Sequence, residues 1–270
     1  MAYEWIVDAL DQTWTSIDQV LRPQPPEAYE ALTACPGWTV RDILSHILGF
    51  EQVLRGAPVP EYEGEWPAHV RNPIGELNEA IVAAHRNEPG IAVLDLFRET
   101  TRESLAALRA LSDQRWEKVG WSPEGERPYH RFMETRVVDS WIHLQDIRDA
   151  LLQPEDDHGP GEEIVINRFE SGLPFVVGKR LNPPEGTLIQ LNLSGRLARL
   201  VLIEMIDGRA TPVTQATRAA DLEISTPVAL FWRRAAGRIS ADAFLNASAT
   251  DVRGDRDLAR RFAESLVIMI

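Results

Sequence analysis

The sequence predicts an α+β protein: a four- or five-helix bundle over residues 1–155 followed by a smaller α/β domain over 160–270. Three observations carry this expectation. The first half reads as long amphipathic helical patterns separated by proline-rich loops; the stretch LQPEDDHGPGEE, residues 152–163, is acidic and rich in Pro and Gly; and beyond it strand-length apolar runs precede two helical patterns. Such a change of texture across a Pro/Gly-rich break marks a domain boundary.

Residues 3–21 place Trp5, Ile6, Leu10, Trp14, Ile17 and Leu21 at helical intervals, and Pro23, Pro25 and Pro26 stop the pattern. The second helix runs from about Val40 to Arg55. Pro36-Gly37 makes a turn before it, Thr39 caps it, and Asp42 stands three residues on as the capping-box partner. The connection GAPVPEYEGEWPAHVRNP is long for a link between helices and reads as a functional loop or lid. Two more helical patterns, IGELNEAIVAAHRNE and AVLDLFRETTRESLAALRAL, are split by Pro89-Gly90, and a last long helix spans about Tyr129 to Leu152. Long helices joined by loops pack most economically as a bundle. In the second domain GTLIQLNLSG, RLARLVLIEMIDG and ADLEIST are strand candidates, and PVALFWRRAAG and DRDLARRFAESLVIMI are helical patterns.

At 44% hydrophobic and 26% charged residues, the composition is that of an ordinary globular chain. Lys+Arg 28 against Asp+Glu 41 leaves a net charge of −13, which repels phosphate backbones and anionic membrane surfaces and argues against both as partners. No apolar run reaches the length of a membrane span, and the opening MAYEWIVDALDQTW is acidic where a secretory signal is basic. One cysteine, Cys35, permits no internal disulfide, so a cytoplasmic location is expected.

The candidate chemistry begins at His46, two turns into the second helix, on the flank of the stripe formed by Val40, Ile43, Leu44, Ile47 and Leu48. A buried imidazole there needs partners for its nitrogens; a carboxylate or carbonyl would satisfy it, and so would a metal. In RFMETRVVDSWIHLQDIRDALL, Asp139 and His143 stand four apart on one face, with Arg136 three before Asp139 and Asp146 three after His143. That face is either a salt-bridge ladder in water or, joined to His46, a ligand set: two imidazoles and one carboxylate suit a divalent metal with an open position. His130 and Glu134 read as a first-turn pair away from Asp139. His69, His85 and His158 read as surface residues, and Cys35 as a small apolar filler.

CPGWTVRDILSHI together with RVVDSWIHLQDIRDAL resembles the mycothiol-dependent maleylpyruvate isomerase family, one of the wider DinB-like metal-binding helical bundles. In the second half RLARLVLIEMIDG, ADLEIST, LFWRRAAGRISADA and VRGDRDLARRFAESL look like that family's sterol-carrier-like domain. The resemblance implies a divalent metal, usually zinc, held by His46, Asp139 and His143, and an external thiol cofactor, mycothiol or similar. It also implies a small electrophilic substrate and an arginine from the second domain that binds an anionic group, for which Arg238 is the candidate. Arg41 and Asp146 match the motifs as a pair orienting His143 or the helix ends, and Arg136 shares their supporting role behind the ligands. One departure stands out: the isomerase prototype has glutamate at the position of Asp139, and the shorter side chain must draw the metal towards the helix, bind through water, or bind more weakly.

No Gly-x-Ser-x-Gly turn and no Gly-rich phosphate loop is present, so a nucleophile would be imported as the thiol. The expected activity is thiol-dependent isomerisation or S-transfer by a monomer or small homo-oligomer. Two alternatives stand beside it: a metal-dependent hydrolase or stress protein without a thiol, and a non-catalytic binder of an apolar ligand in the second domain.

Overall fold

The computed structural model describes residues 2–155 and 158–269. The chain divides into two units, Met1–Glu162 and Glu163–Ile270. Asp156 and Asp157, inside the break anticipated at 152–163, lie outside the described residues.

In the first unit the helices are α1 (Glu4–Leu21), α2 (Val40–Leu54), α3 (Pro73–Ala83), α4 (Gly90–Arg109), the short α5 (Asp113–Trp116) and α6 (Tyr129–Ala150). Of the stripe read from the sequence, helix α1 buries Ile6, Leu10, Trp14, Ile17 and Leu21 against α4 and α6, while Trp5 is exposed. The buried indole of Trp14 is satisfied when its Nε1 donates to Ser140 Oγ of α6 at 3.0 Å.

Helix α2 departs from the expectation of a single apolar stripe. It packs on α3, α4 and α6 at once, so residues from Asp42 to Glu51 are buried on every side, the polar Asp42, Ser45, His46 and Glu51 included. A helix wrapped in this way needs close approach somewhere, and Gly49 provides it: a Cβ there would lie 2.4 Å from Ile81 Cγ2 of α3. The start of α2 is fixed as its sequence announces. Thr39 accepts from the Asp42 backbone N–H while the Asp42 carboxylate accepts from the Thr39 N–H at 2.9 Å.

The second unit carries most of α7 (Pro160–Phe175), which runs into a π-helical segment, Val176–Leu181. Helix α7 has no counterpart in the sequence expectation, and it contains Gly161, Gly172 and Pro174, residues that weaken a local helical pattern. Two two-residue strands of the first unit, β1 (Val119–Gly120) and β2 (Arg127–Pro128), pair with each other. The main sheet contains β3 (Leu188–Ser194), β4 (Arg199–Ile206), β5 (Arg209–Pro212), β6 (Leu222–Pro227) and β7 (Asp251–Gly254), in the order β5-β4-β3-β6-β7. Only β3 and β6 pair in parallel. Ile189, Leu191, Val201, Ile203, Leu222, Ile224 and Val252 share one buried face, and α8 (Val228–Ala235) and α10 (Arg256–Ser265) pack on the central strands. A five-residue helix, α9 (Ala241–Leu245), precedes β7. The edge strands β5 and β7 are four residues each and owe their form to pairing with longer neighbours, which a single-sequence pattern does not display.

Among the described residues no helix is long and apolar enough to cross a membrane.

Because the capping box closes the head of α2, Thr39→Ala should lower stability by about 1 kcal/mol in urea denaturation with an unchanged slope.

Candidate functional site

Helix α6 presents Arg136, Asp139, His143 and Asp146 at spacings of three, four and three, which keeps them on one face as the helix turns. That face meets α2. His46, 3% exposed, brings Nε2 to 3.3 Å from Asp139 Oδ1, and His143 Nε2 lies 3.6 Å from the same oxygen. The two imidazoles meet edge to face with centroids 5.1 Å apart. A four-coordinate ion with bonds of 2.0–2.1 Å spaces its ligand atoms by about 3.3–3.4 Å, so these separations match the edges of such a tetrahedron.

Each donor is held from behind. Arg136 Nη1 donates to the other oxygen of Asp139, Oδ2, at 2.8 Å, while its Nε and Nη2 donate to Glu51 Oε1 of α2 at 3.2 and 3.0 Å. The guanidinium lies over the Phe50 ring, 4.4 Å from its centroid. His143 Nδ1 is 3.1 Å from Asp146 Oδ2, an arrangement that fixes ring orientation. His46 is held differently: among the described residues its Nδ1 has no hydrogen-bond partner, and the ring is wedged between Trp38, centroid 5.2 Å away, and Phe50, 6.2 Å away.

Trp38 also faces His143, at 6.2 Å, and so walls both imidazoles. Its Nε1 donates to Glu79 Oε2 of α3 at 3.0 Å, and Glu79, fully buried, takes His69 Nε2 at 3.1 Å and Arg86 Nη1 at 2.7 Å. The turn before Trp38 requires glycine twice over: Gly37 has φ +78°, and a Cβ there would lie 2.9 Å from His69 Cε1.

With this geometry in hand, residues 10–148, just over half of the chain, match the family described as the mycothiol maleylpyruvate isomerase N-terminal domain. The chain belongs to that family. A crystal structure of a mycothiol-dependent maleylpyruvate isomerase aligns over 93% of this chain and 93% of its own at 15% identity, with a TM-score of 0.59. A histidine-to-alanine mutant of that enzyme aligns with the same coverage and identity at a TM-score of 0.56. At such identity the likeness is one of fold. No curated protein sequence matches the chain at a significant level.

In this family member the charges around the site decide one another. Burial alone would raise the carboxyl of Asp139, yet the neighbouring His46 and Arg136 outweigh it and hold the carboxyl far below the usual range. Burial pushes His46 down. Burial opposes the charge on His143 as well, but the hydrogen bond to Asp146, helped by Cys35 and Asp139, pushes its imidazole up to about 10. Burial also works against the charge of Arg136, and the carboxylates of Asp139 and Glu51 override it.

Other residues singled out in the sequence lie elsewhere. Arg41 does not pair with Asp146; it forks onto Glu30, at 2.6 and 3.0 Å, and reaches the Glu88 carbonyl at 3.3 Å, because its side chain leaves α2 on the face turned from α6. Arg238 sits in the second unit, in the turn after α8, where Nη1 donates to the Ala236 carbonyl at 2.9 Å. His130 stands 3.8 Å from Glu134 and 3.7 Å from Glu117 and stacks on Tyr3. His69 is not a plain surface residue but the partner of Glu79, and Cys35 is half-buried, with Sγ 3.5 Å from Asp146 Oδ2. Glu51, Trp38 and Glu79 join the site without a spacing pattern that pairs them with it in the sequence. Their available signals were an acid in an otherwise apolar segment of α2, and a tryptophan directly after a Pro-Gly turn.

Burial would raise the Glu79 carboxyl, but donation from Trp38 and His69 and the ion pair with Arg86 hold it below the ordinary glutamate range. A lowered folded value means a contribution present above the unfolded value and lost as pH falls through the folded one. Glu79→Gln should therefore cost about 1–3 kcal/mol at neutral pH, and the gap to the wild type should narrow steadily below about pH 4.5 in denaturation curves.

Proposed function

We propose that this chain is a metal-dependent enzyme that uses an external low-molecular-weight thiol, mycothiol or a close analogue, to isomerise a small electrophilic substrate of the maleylpyruvate kind. The observation that carries the reading is the convergence of His46 Nε2 and His143 Nε2 on Asp139 Oδ1, while Arg136 occupies the second Asp139 oxygen and Asp146 the second His143 nitrogen. Family membership and the fold it shares with a mycothiol-dependent isomerase support the choice of chemistry.

His46, Asp139 and His143 would hold the ion. When bound, a divalent cation such as zinc supplies positive charge that favours the thiolate form of a thiol beside it at neutral pH. The residues of the chain prepare that site. Asp146 accepts the Nδ1 proton of His143 and fixes the ring with Nε2 towards the centre of the triad, where a bound ion would displace the Nε2 proton. Arg136 keeps Asp139 ionised and immobile. Trp38 and Phe50 pack against the imidazoles and keep water from their flanks. An external thiol held beside the ion would supply reversible addition to a conjugated double bond, chemistry that permits rotation about that bond with no net group transferred.

Metal analysis of protein purified without a histidine tag tests the first half: about one equivalent is expected, with at least a tenfold loss in His143→Ala, and an unchanged content in that variant defeats the ligand assignment. Turnover of maleylpyruvate should require added mycothiol, and equal rates without any thiol would refute the cofactor. Arg136→Gln should weaken metal retention by about 10–100-fold in a chelator competition, since it frees Asp139 without removing a ligand.

A further inference from the structure

A second group of donors lies behind His143. Cys35 Sγ is 3.5 Å from Asp146 Oδ2 and 4.0 Å from His143 Nδ1, and Nδ1 is 3.1 Å from Oδ2. A tetrahedral ion with a metal–sulfur bond of about 2.3 Å and metal–nitrogen or metal–oxygen bonds of about 2.0–2.1 Å sets sulfur about 3.5 Å from its neighbours and nitrogen about 3.3 Å from oxygen. The observed spacings fall within roughly half an ångström of those edges.

The donors sit on defined backbone. Cys35 N donates to Thr33 Oγ1 at 3.2 Å, and the Cys35 carbonyl accepts from Trp38 N at 3.1 Å, which fixes the turn ahead of α2. His143 and Asp146 are one helical turn apart and buried, whereas Cys35 is half-buried and leaves an approach for an ion. A thiolate in the donor set selects soft or borderline cations, such as zinc, cadmium or copper(I), over magnesium and calcium.

We infer that Cys35, His143 and Asp146 form a second cation site, selective for thiophilic metals, that shares His143 with the triad through the opposite ring nitrogen. On binding, the Cys35 thiol proton leaves to solvent. The imidazole also gives up its Nδ1 proton to solvent and keeps the one on Nε2, so that Nδ1 takes the ion and Nε2–H faces Asp139 Oδ1, 3.6 Å away. The two sites thus need opposite tautomers of one imidazole. An ion at Cys35 withdraws His143 from the triad, and an ion in the triad restores the hydrogen bond between His143 and Asp146. The inference goes beyond the proposed activity and does not need it.

The test is a cobalt(II) titration of full-length His46→Ala protein in buffer free of thiols, followed by the near-ultraviolet thiolate-to-cobalt charge-transfer band. One equivalent of cobalt with that band is expected. Adding Cys35→Ser to His46→Ala should abolish the band and weaken cobalt binding at least tenfold. No cobalt uptake by His46→Ala, or uptake without the band, overturns the second site. Should His46→Ala fail to fold by circular dichroism, Asp139→Asn carries the same measurement. Both variants disable the triad, so the result stands apart from whether the triad holds metal.

Discussion

The buried guanidinium of Arg136 is the constraint on which the rest of the site depends. A full charge inside a bundle is tolerated only when its hydrogen-bonding capacity is matched, and Arg136 has a carboxylate on each side, Glu51 from α2 and Asp139 from its own helix. The Glu51 bond ties α6 to α2 at one rotational setting. That setting turns Asp139 and His143 towards His46. The flat face of the same guanidinium rests on Phe50, which also packs against His46, so one side chain links the electrostatics of the carboxylate to the packing of the imidazole.

The second support is a wall instead of a pair. Trp38 covers both imidazoles, and its orientation follows from the indole N–H donated to a fully buried Glu79. Glu79 is acceptable in that place because three donors converge on it from different segments: the turn before α2, the long connection carrying His69, and Arg86 beyond α3. The long connection that reads in the sequence as a functional loop or lid is anchored beside the site at His69. Gly37 is part of the same arrangement, since any side chain there would meet the His69 ring.

Asp139 now has a physical context for being shorter than the glutamate of the isomerase prototype. It does not act alone: Oδ2 is committed to Arg136 and Oδ1 is left facing both imidazoles, so the helix face itself brings the carboxylate to His143 without the extra methylene. The limited sequence identity to the aligned isomerase, 15% over 93% of both chains, is compatible with this because the fold is specified by patterns of burial more than by particular side chains.

The sequence by itself determined the helices whose ends carry their own signals and whose apolar stripe repeats over several turns, α1, α2, α4 and α6 among them, and it determined that Arg136, Asp139, His143 and Asp146 share a face, because helical spacing is a local property. It also singled out His46 as an imidazole in need of partners. Tertiary structure alone decided which face of α6 meets α2, that Glu51 is the second partner of Arg136, that Arg41 turns away to Glu30, and that Trp38, Glu79 and His69 join into one wall. Helix α7 and the edge strands β5 and β7 likewise exist through packing and pairing that override weak or breaker-rich local sequence. The reason is common to all of these: spacing along a chain fixes which side chains share a face, while the partner of each buried charge is chosen only when distant segments pack and water is removed.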